Sequence, residues 1–442
     1  VTIIPYIDRT APFPLDPAIR LLGKGSEGLA LDFVHMRAYM RDRSKPEDAF
    51  LGDPNDLLIR AGAPVKYLAG KEGLFSTDTR LRTDHGADGS TLGLLIEEER
   101  TNLLLHTMDF THSLWRKEGV SFSATAVPAP DGSLAFKMNE RAGYGSSRVD
   151  QGGTVTAGTT YTLSVFARAG ERSKLEMRTG TWGWPGRILV DLENGTLTPI
   201  SAPDHCTISG PFAGWYRLSL TVTSSTTGNV TQFFVLHITD ENGGISYQGD
   251  GASGLYLWGP QVEVGTNPSS HIPSQEVQGV RAADLLTIGA TAFPLLEGGA
   301  TIVAEFASMR PGIATQQQPA GIWGFSGAGM NATDLRYENS LKLVGRQDSA
   351  APIQHDLGVL PPEGIFETVA IALDGQQSRA SRNGEAVSVG SVPCDLSATT
   401  LLNIGSTAVH PAESGVLNGH LRSLVLIPRL LSDAELRART SG

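Results

Sequence analysis

The chain has 442 residues and a mass of 46.9 kDa, with 51 glycines, 25 prolines and only 18% charged residues. An apolar fraction of 40% argues against disorder, and a net charge of −11 argues against a basic groove for nucleic acid. The two cysteines, Cys206 and Cys394, rule out a disulfide scaffold or a cysteine-rich metal cluster, and no apolar run approaches the roughly 18 residues of a membrane-spanning helix.

The opening Val1-Thr2-Ile3-Ile4-Pro5 lacks the charged–apolar–small order of a secretion signal. Gly23-Lys24-Gly25-Ser26-Glu27-Gly28 spells a dinucleotide-binding pattern, but the residues beyond Gly28 alternate as a strand and open no helix to hold a pyrophosphate. Val34, Met36, Ala38 and Met40 alternate with His35, Arg37, Tyr39 and Arg41, which predicts one half-buried strand. Residues 43–56 are polar and carry Pro46 and Pro54, so they read as loop. Short apolar bursts at 57–59 and 65–68 complete no core. Residues 1–100 are therefore expected to form an irregular anchoring or assembly region that needs a partner surface to finish its burial.

Beyond residue 100 the period becomes that of strands. Tyr161, Leu163, Val165 and Ala167 alternate with Thr162, Ser164, Phe166 and Arg168. Residues 187–192 and 196–200 flank Asn194-Gly195, a hairpin signal, and 215–222, 232–239 and 254–263 are further strands. Strands without intervening helices predict a β-sandwich over 101–274. A polar linker at 275–281 leads to a second sandwich over 282–442. Its strands are expected at 300–306, 321–325, 340–346, 367–373, 378–382, 386–389, 401–404 and 419–427, with a tight turn at Asn383-Gly384. Ser432 and Glu435 form a capping box that opens one short terminal helix. The fold class is mainly β: an irregular N-terminal region followed by two sandwiches.

Residues 93–104, Gly-Leu-Leu-Ile-Glu-Glu-Glu-Arg-Thr-Asn-Leu-Leu, resemble the signature of bacteriophage tail and head spike or fibre proteins. The likeness continues through Trp115, residues 158–164, Gly214-Trp215-Tyr216-Arg217, residues 256–265 and His271-Ile272-Pro273, and then through 280–284 and 417–436. It covers roughly 90–442. The resemblance implies a jelly roll similar to carbohydrate-binding modules, followed by a laminin-G/concanavalin-like sandwich. It also implies a place on the virion surface, capsid or tail proteins as partners of the N-terminal region, a host surface glycan as ligand, and a homo-oligomer of three copies. Neither nucleic acid nor a membrane is expected as a partner.

Candidate sites emerge from aromatic and polar spacing. Trp182 and Trp184 stand at alternate positions, a spacing that could stack two sugar rings with Arg178, Arg187 or Tyr144 at the edge. The competing reading places both indoles in a core or a subunit interface. Asp334, Arg336, Tyr337, Glu338 and Asn339 crowd a stretch read as a rim loop, where hard oxygen ligands could hold Ca²⁺ or a sugar. Their spacing is not that of a calcium loop, so a solvated loop is expected and no cofactor is required. Trp115, Trp215, Trp258 and Trp323 are expected in cores. Asp204-His205-Cys206 reads as loop.

No strand in 282–430 carries the Glu-x-Asp-x-x-Glu of a concanavalin-fold glucanase, and in the run Glu97-Glu98-Glu99 adjacent side chains point to opposite faces of a strand. Metalloprotease, nucleophile-elbow and phosphate-loop motifs are missing too. The expectation is a non-enzymatic adhesive protein. The rivals are a depolymerase tailspike and a ligand-free capsid decoration protein.

Overall fold

The computed structural model describes residues 28–441, apart from 36, 43–44, 53–58, 62–80, 87, 181–185, 202, 290–297, 310–318, 328–330, 348–349 and 409–414. The chain is mainly β, arranged as two sandwiches, and Asp433–Thr440 is the α-helix among the described residues. Ser432 and Glu435 do form its capping box: the Ser432 hydroxyl accepts from the Glu435 amide, and the Glu435 carboxylate accepts from the Ser432 amide at 2.8 Å.

The first sandwich packs a six-stranded sheet on a seven-stranded one. The six-stranded sheet runs His205–Phe212, Trp215–Thr223, Thr160–Arg168, Gly254–Val264, Leu134–Asn139, Ser121–Pro128. The other runs Thr196–Ser201, Arg187–Asp191, Lys174–Arg178, Gly228–Ile238, Ala142–Val155, Ser246–Asp250, with Arg116–Glu118 also paired to Ala142–Val155. Alternation sends Tyr161, Leu163, Val165 and Ala167 inward against Leu175, Met177, Ile188, Phe234, Leu236 and Ile238. Trp115 joins this core, whereas Trp215 and Trp258 form a smaller cluster with Phe166. The Asn194-Gly195 turn is wider than the tightest hairpin: Asp191 accepts the amides of Glu193 and Asn194, and Gly195 alone takes positive φ. At Asn383-Gly384 both residues are left-handed, as a two-residue turn requires.

The second sandwich corrects the expectation for residues 1–100. Its ten-stranded sheet runs Lys45–Gly52, Arg37–Asp42, Gly28–Asp32, Gly419–Ile427, Ala300–Ser308, Glu367–Leu373, Ser378–Arg382, Ser388–Gly390, and Thr91–Ile96 pairs with both Gly419–Ile427 and Thr83–His85. The facing sheet runs Ile353–Asp356, Leu341–Arg346, Ala332–Tyr337, Ala320–Gly327, Thr399–Ile404, Leu285–Gly289, Ile59–Ala61. Leu29, Leu31, Phe33, Leu94 and Ile96 are buried in one core with Ile302, Phe306, Trp323 and Leu426. The partner surface that the leading segment lacks is thus the far end of its own chain. Among the described residues it forms no separate anchoring body, and the first sandwich is an insertion between strands of the second.

Two local readings fail for identifiable reasons. The predicted strand through Val34 is interrupted because the Asp32 carboxylate accepts the amides of Val34 and His35, each at 3.0 Å, turning the chain between two strands. The predicted loop at 43–56 contains the strand Lys45–Gly52, where Pro46 is tolerated because the strand lies at the sheet edge.

The signature residues lie where the sandwiches join. Gly93, at φ +108, backs onto the Leu421 carbonyl so closely that a Cβ would come within 2.6 Å of it. The Glu97 carboxylate meets Arg82 at 2.6 Å and Arg281 at 3.1 Å and accepts the Ser270 amide at 2.7 Å. Arg82 also pairs with Asp284, which accepts the Glu97 amide at 3.0 Å. Glu97 is buried, and although desolvation opposes it, Arg281 and Arg82 hold its carboxyl far below the usual range. Asn102 gives its amide hydrogens to the Ile272 and Pro260 carbonyls at 2.8 and 3.3 Å and accepts from Val262. The motif is a weld, which accounts for the carboxylate run without chemistry.

Candidate functional site

The side of the seven-stranded sheet facing away from the first sandwich's core is not apolar. In Lys174–Arg178, Leu175 and Met177 enter the core, so Glu176 and Arg178 face out. In Gly228–Ile238, Phe234, Leu236 and Ile238 go in, leaving Val235 and His237 out. Register then sets the neighbours. One row crosses the sheet as Glu118, Arg148, His237, Glu176, and the next as Arg116, Asp150, Val235, Arg178, Arg187.

These side chains form a charged lattice. Arg148 binds Glu118 at 2.7 Å and Asp150 at 2.9 Å. Arg116 clasps Asp150 and donates to the Thr231 carbonyl. Arg187 places two nitrogens on Glu176 Oε2, at 2.6 and 2.5 Å. Asp150 and Glu176 are fully buried, so each arginine that reaches them is held in one geometry. His237 Nδ1 lies 3.2 Å from the Ser146 hydroxyl. Burial first, then the charges of Arg178, Arg148 and Arg187, push the imidazole down to a pKa of about 3, so it is neutral at physiological pH.

The same Gly228–Ile238 strand leads from this lattice into a cleft of about 320 Å³ lined by Gly180, Thr226, Asn229, Thr231 and Gln232 among others. That volume lies at the small end for ligand sites, roughly 300–1,000 Å³. Its hydroxyls and amides are the donors and acceptors that a sugar ring needs.

The sequence-predicted residues scatter. Arg178 and Arg187 stand side by side in the lattice, paired across two strands. Tyr144 lies two positions before Ser146 on the lattice strand, 72% exposed. Trp182 and Trp184 fall outside the described residues. Arg116, Arg148, Asp150, Glu176 and His237 escape the sequence reading. Their signal is present as charges at every second position in Arg116-x-Glu118, Arg148-x-Asp150 and Glu176-x-Arg178, with apolar Val149 and Met177 between the members of the last two pairs.

The second cluster is no rim loop. Asp334, Arg336 and Tyr337 belong to the strand Ala332–Tyr337, with Leu335 and Tyr337 in the core and Asp334 and Arg336 on the opposite side. Asp334 and Glu338 are each 1% exposed, while Asn339 is in solvent. Arg336 sits between the two carboxylates, 3.3 Å from Asp334 and 2.7 Å from Glu338, and Lys342 reaches Glu338 at 2.9 Å. The guanidinium takes the place that a cation would need between the acids. Burial raises the Asp334 carboxyl to about 6 against the pull of Arg336.

His106, His112 and Glu276 bring ligand atoms within 4.8 Å of one another. The two imidazoles are stacked, with centroids 3.5 Å apart and planes 13° from parallel. Their lone pairs therefore lie in near-parallel planes and do not converge on one ion, so a metal would require one ring to turn. Both cysteines are free thiols, Cys394 buried and Cys206 partly so.

No protein-family model and no curated protein matches the chain. Among solved structures, the carbohydrate-binding module CBM40 of the Ruminococcus gnavus IT-sialidase is similar at 16% identity and a TM-score of 0.28, covering 33% of this chain and 85% of that one. Domains LG4-5 of the mouse laminin α1 chain are similar at 10% identity and a TM-score of 0.22, covering 66% of this chain and 89% of that one. A pentraxin of Limulus polyphemus is similar at 10% identity and a TM-score of 0.24, covering 32% and 68%. Likenesses this distant assign the chain no ligand.

Proposed function

We propose that the chain is a glycan-adhesive subunit without hydrolytic activity, binding through the outer face of the seven-stranded sheet and the adjoining cleft. One observation carries the reading: buried ion pairs fix a polar lattice on an outward sheet face whose guanidinium groups are still partly exposed. Arg116, Arg148, Arg178 and Arg187 keep 50%, 22%, 20% and 37% of their side chains exposed. Sugars are recognised by such fixed groups, and a surface ordered in advance loses little freedom on binding. The absence of hydrolysis is supported by how the acids are engaged. Asp150 and Glu176 are tied to arginines, and Arg336 stands between Asp334 and Glu338, where a glycosidase needs room for a glycosidic bond.

The phage-like signature favours a setting on a virion surface, as a spike or fibre subunit carried by capsid or tail proteins. A homo-oligomer of three copies would then convert weak single sites into firm attachment by raising the effective concentration of each. The test has two parts. The full chain is applied to a glycan array, where retention on no member rejects adhesion. It is also incubated with purified bacterial capsular polysaccharides, where shortening of any polymer rejects the non-catalytic reading and favours a depolymerase.

A further inference from the structure

The lattice is not balanced around Arg178. Four guanidinium groups, of Arg116, Arg148, Arg178 and Arg187, face three carboxylates, of Glu118, Asp150 and Glu176, and the matching acids lie farther along the face, where Lys174 meets Asp191 and Glu241 at 3.4 and 3.5 Å. His237 is neutral and offsets nothing. The surplus is localised. Arg116, Arg148 and Arg187 each make at least one close ion pair, whereas among the described residues Arg178 makes a 3.5 Å approach to Glu176, with its side chain 20% exposed.

Its surroundings make this costly. Arg178 is half-buried and flanked by Arg148 and Arg187, and desolvation together with those like charges lowers its pKa. A neutral sugar hydroxyl could accept a hydrogen bond from the Arg178 guanidinium but not offset its charge. A carboxylate does both, because its two oxygens match the planar fork of a guanidinium.

We propose, on the basis of the glycan-binding reading above, that this face takes an acidic sugar, its carboxylate seated against the exposed part of the Arg178 guanidinium between Arg148 and Arg187. The ring would lie along the sheet toward Tyr144 or toward the cleft at Thr226 and Asn229.

The experiment is a glycan array holding uronate- and nonulosonate-bearing oligosaccharides, the same compounds with the carboxyl reduced to an alcohol, sulfated oligosaccharides, and neutral ones. The full chain should be retained by carboxylate-bearing members, with affinity falling about tenfold or more on carboxyl reduction, as expected for a charge-assisted contact. Arg178→Gln should produce the same loss. Its side chain has one weak contact among the described residues, so the variant should unfold at the wild-type temperature, and Arg178→Lys, which keeps the charge without the planar fork, should lose part of the affinity. Binding by the unaltered protein should also weaken as sodium chloride is raised, a readout that no variant's folding can confuse. Equal retention of carboxyl-reduced and carboxylate-bearing members overturns the acidic ligand while leaving glycan adhesion standing. Preference for sulfated over carboxylated probes overturns the carboxylate. Retention on no glycan overturns both.

Discussion

Acidification should loosen the first sandwich well before ordinary carboxylates titrate. His237 and His271 are both buried in it, 1% exposed each. Burial holds both near pKa 3 against the usual 6.5, helped by Arg178, Arg148 and Arg187 at His237 and by Arg217 at His271. Each is therefore neutral in the folded chain and free to take a proton once unfolded. Between pH 6.5 and 3 the unfolded state binds more protons, so stability rises with pH through that window and is lost as pH falls. At pH 5 the deficit is about 2 kcal/mol per histidine, from about 1.4 kcal/mol per unit over about 1.5 units. Two separate sites give about 4 kcal/mol, which for a module of this size is a fall in melting temperature of about 8–16 °C.

Asp334 works in the opposite sense. Its folded pKa of about 6 lies above the ordinary 3.8, so the second sandwich is stabilised as pH falls through that range. Calorimetry at pH 7.5 and 5 should show the first sandwich moving to lower temperature while the Asp334 contribution to the second grows. His237→Gln should remove roughly half of the acid sensitivity. A first-sandwich transition that does not move between these pH values, or that moves equally in a His237→Gln, His271→Gln double variant, would refute the reasoning.

Three further outcomes rest on the packing. Glu97→Gln weakens the acceptor shared by Arg82 and Arg281, and should cost about 3–5 kcal/mol in denaturant titrations, as removal of one partner from a buried charge network does; an unchanged midpoint would mean that the junction is not a weld. Phe33→Ala should destabilise the second sandwich by about 3–5 kcal/mol, although Phe33 is far from that module in sequence, because its ring is fully buried in the second core. Burial pushes the Cys394 thiol up to about 12, so a thiol reagent at pH 8 should leave it unmodified until the chain unfolds, and rapid modification of the native protein would contradict its placement.

Much of this architecture can be read from the sequence because strand alternation is local. Thr160–Arg168, Glu367–Leu373, Ser378–Arg382 and Gly419–Ile427 fall at the predicted positions, and the capping box at Ser432 marks its helix. What cannot be read depends on partners distant in the chain. Nothing around Leu29 or Leu31 indicates that Gly28–Asp32 pairs with Gly419–Ile427, so a segment with no visible core of its own reads as an anchor. The Asp334 cluster misleads for a related reason. Charges at alternate positions look solvated unless one knows that Arg336 pairs with both neighbours, that Lys342 also reaches Glu338, and that the face is covered. Arg178 and Arg187 read as edges for an indole platform, whereas their closest relations are with Glu176 and with one another.

The insertion also bears on adhesion. A module tethered by a single flexible linker would reorient freely, and each contact with a surface would have to fix its direction anew. Here the chain enters the first sandwich through residues 97–102 and leaves it through 260–284, and the two passages are bonded to each other. Asn102 holds the carbonyls of Pro260 and Ile272, and Arg100 pairs with Glu98 and donates to the Val264 carbonyl. Glu97, Arg82, Arg281 and Asp284 then lock both passages to the second sandwich. Asn418, at the start of the central strand of the ten-stranded sheet, reaches Asn267 at 3.3 Å. With two covalent connections and a buried ionic junction, the arginine face is held at a set angle to the ten-stranded sheet. Copies arranged about a common axis would then present their arginine faces in the same orientation, which is the condition under which several weak sites act on one surface together.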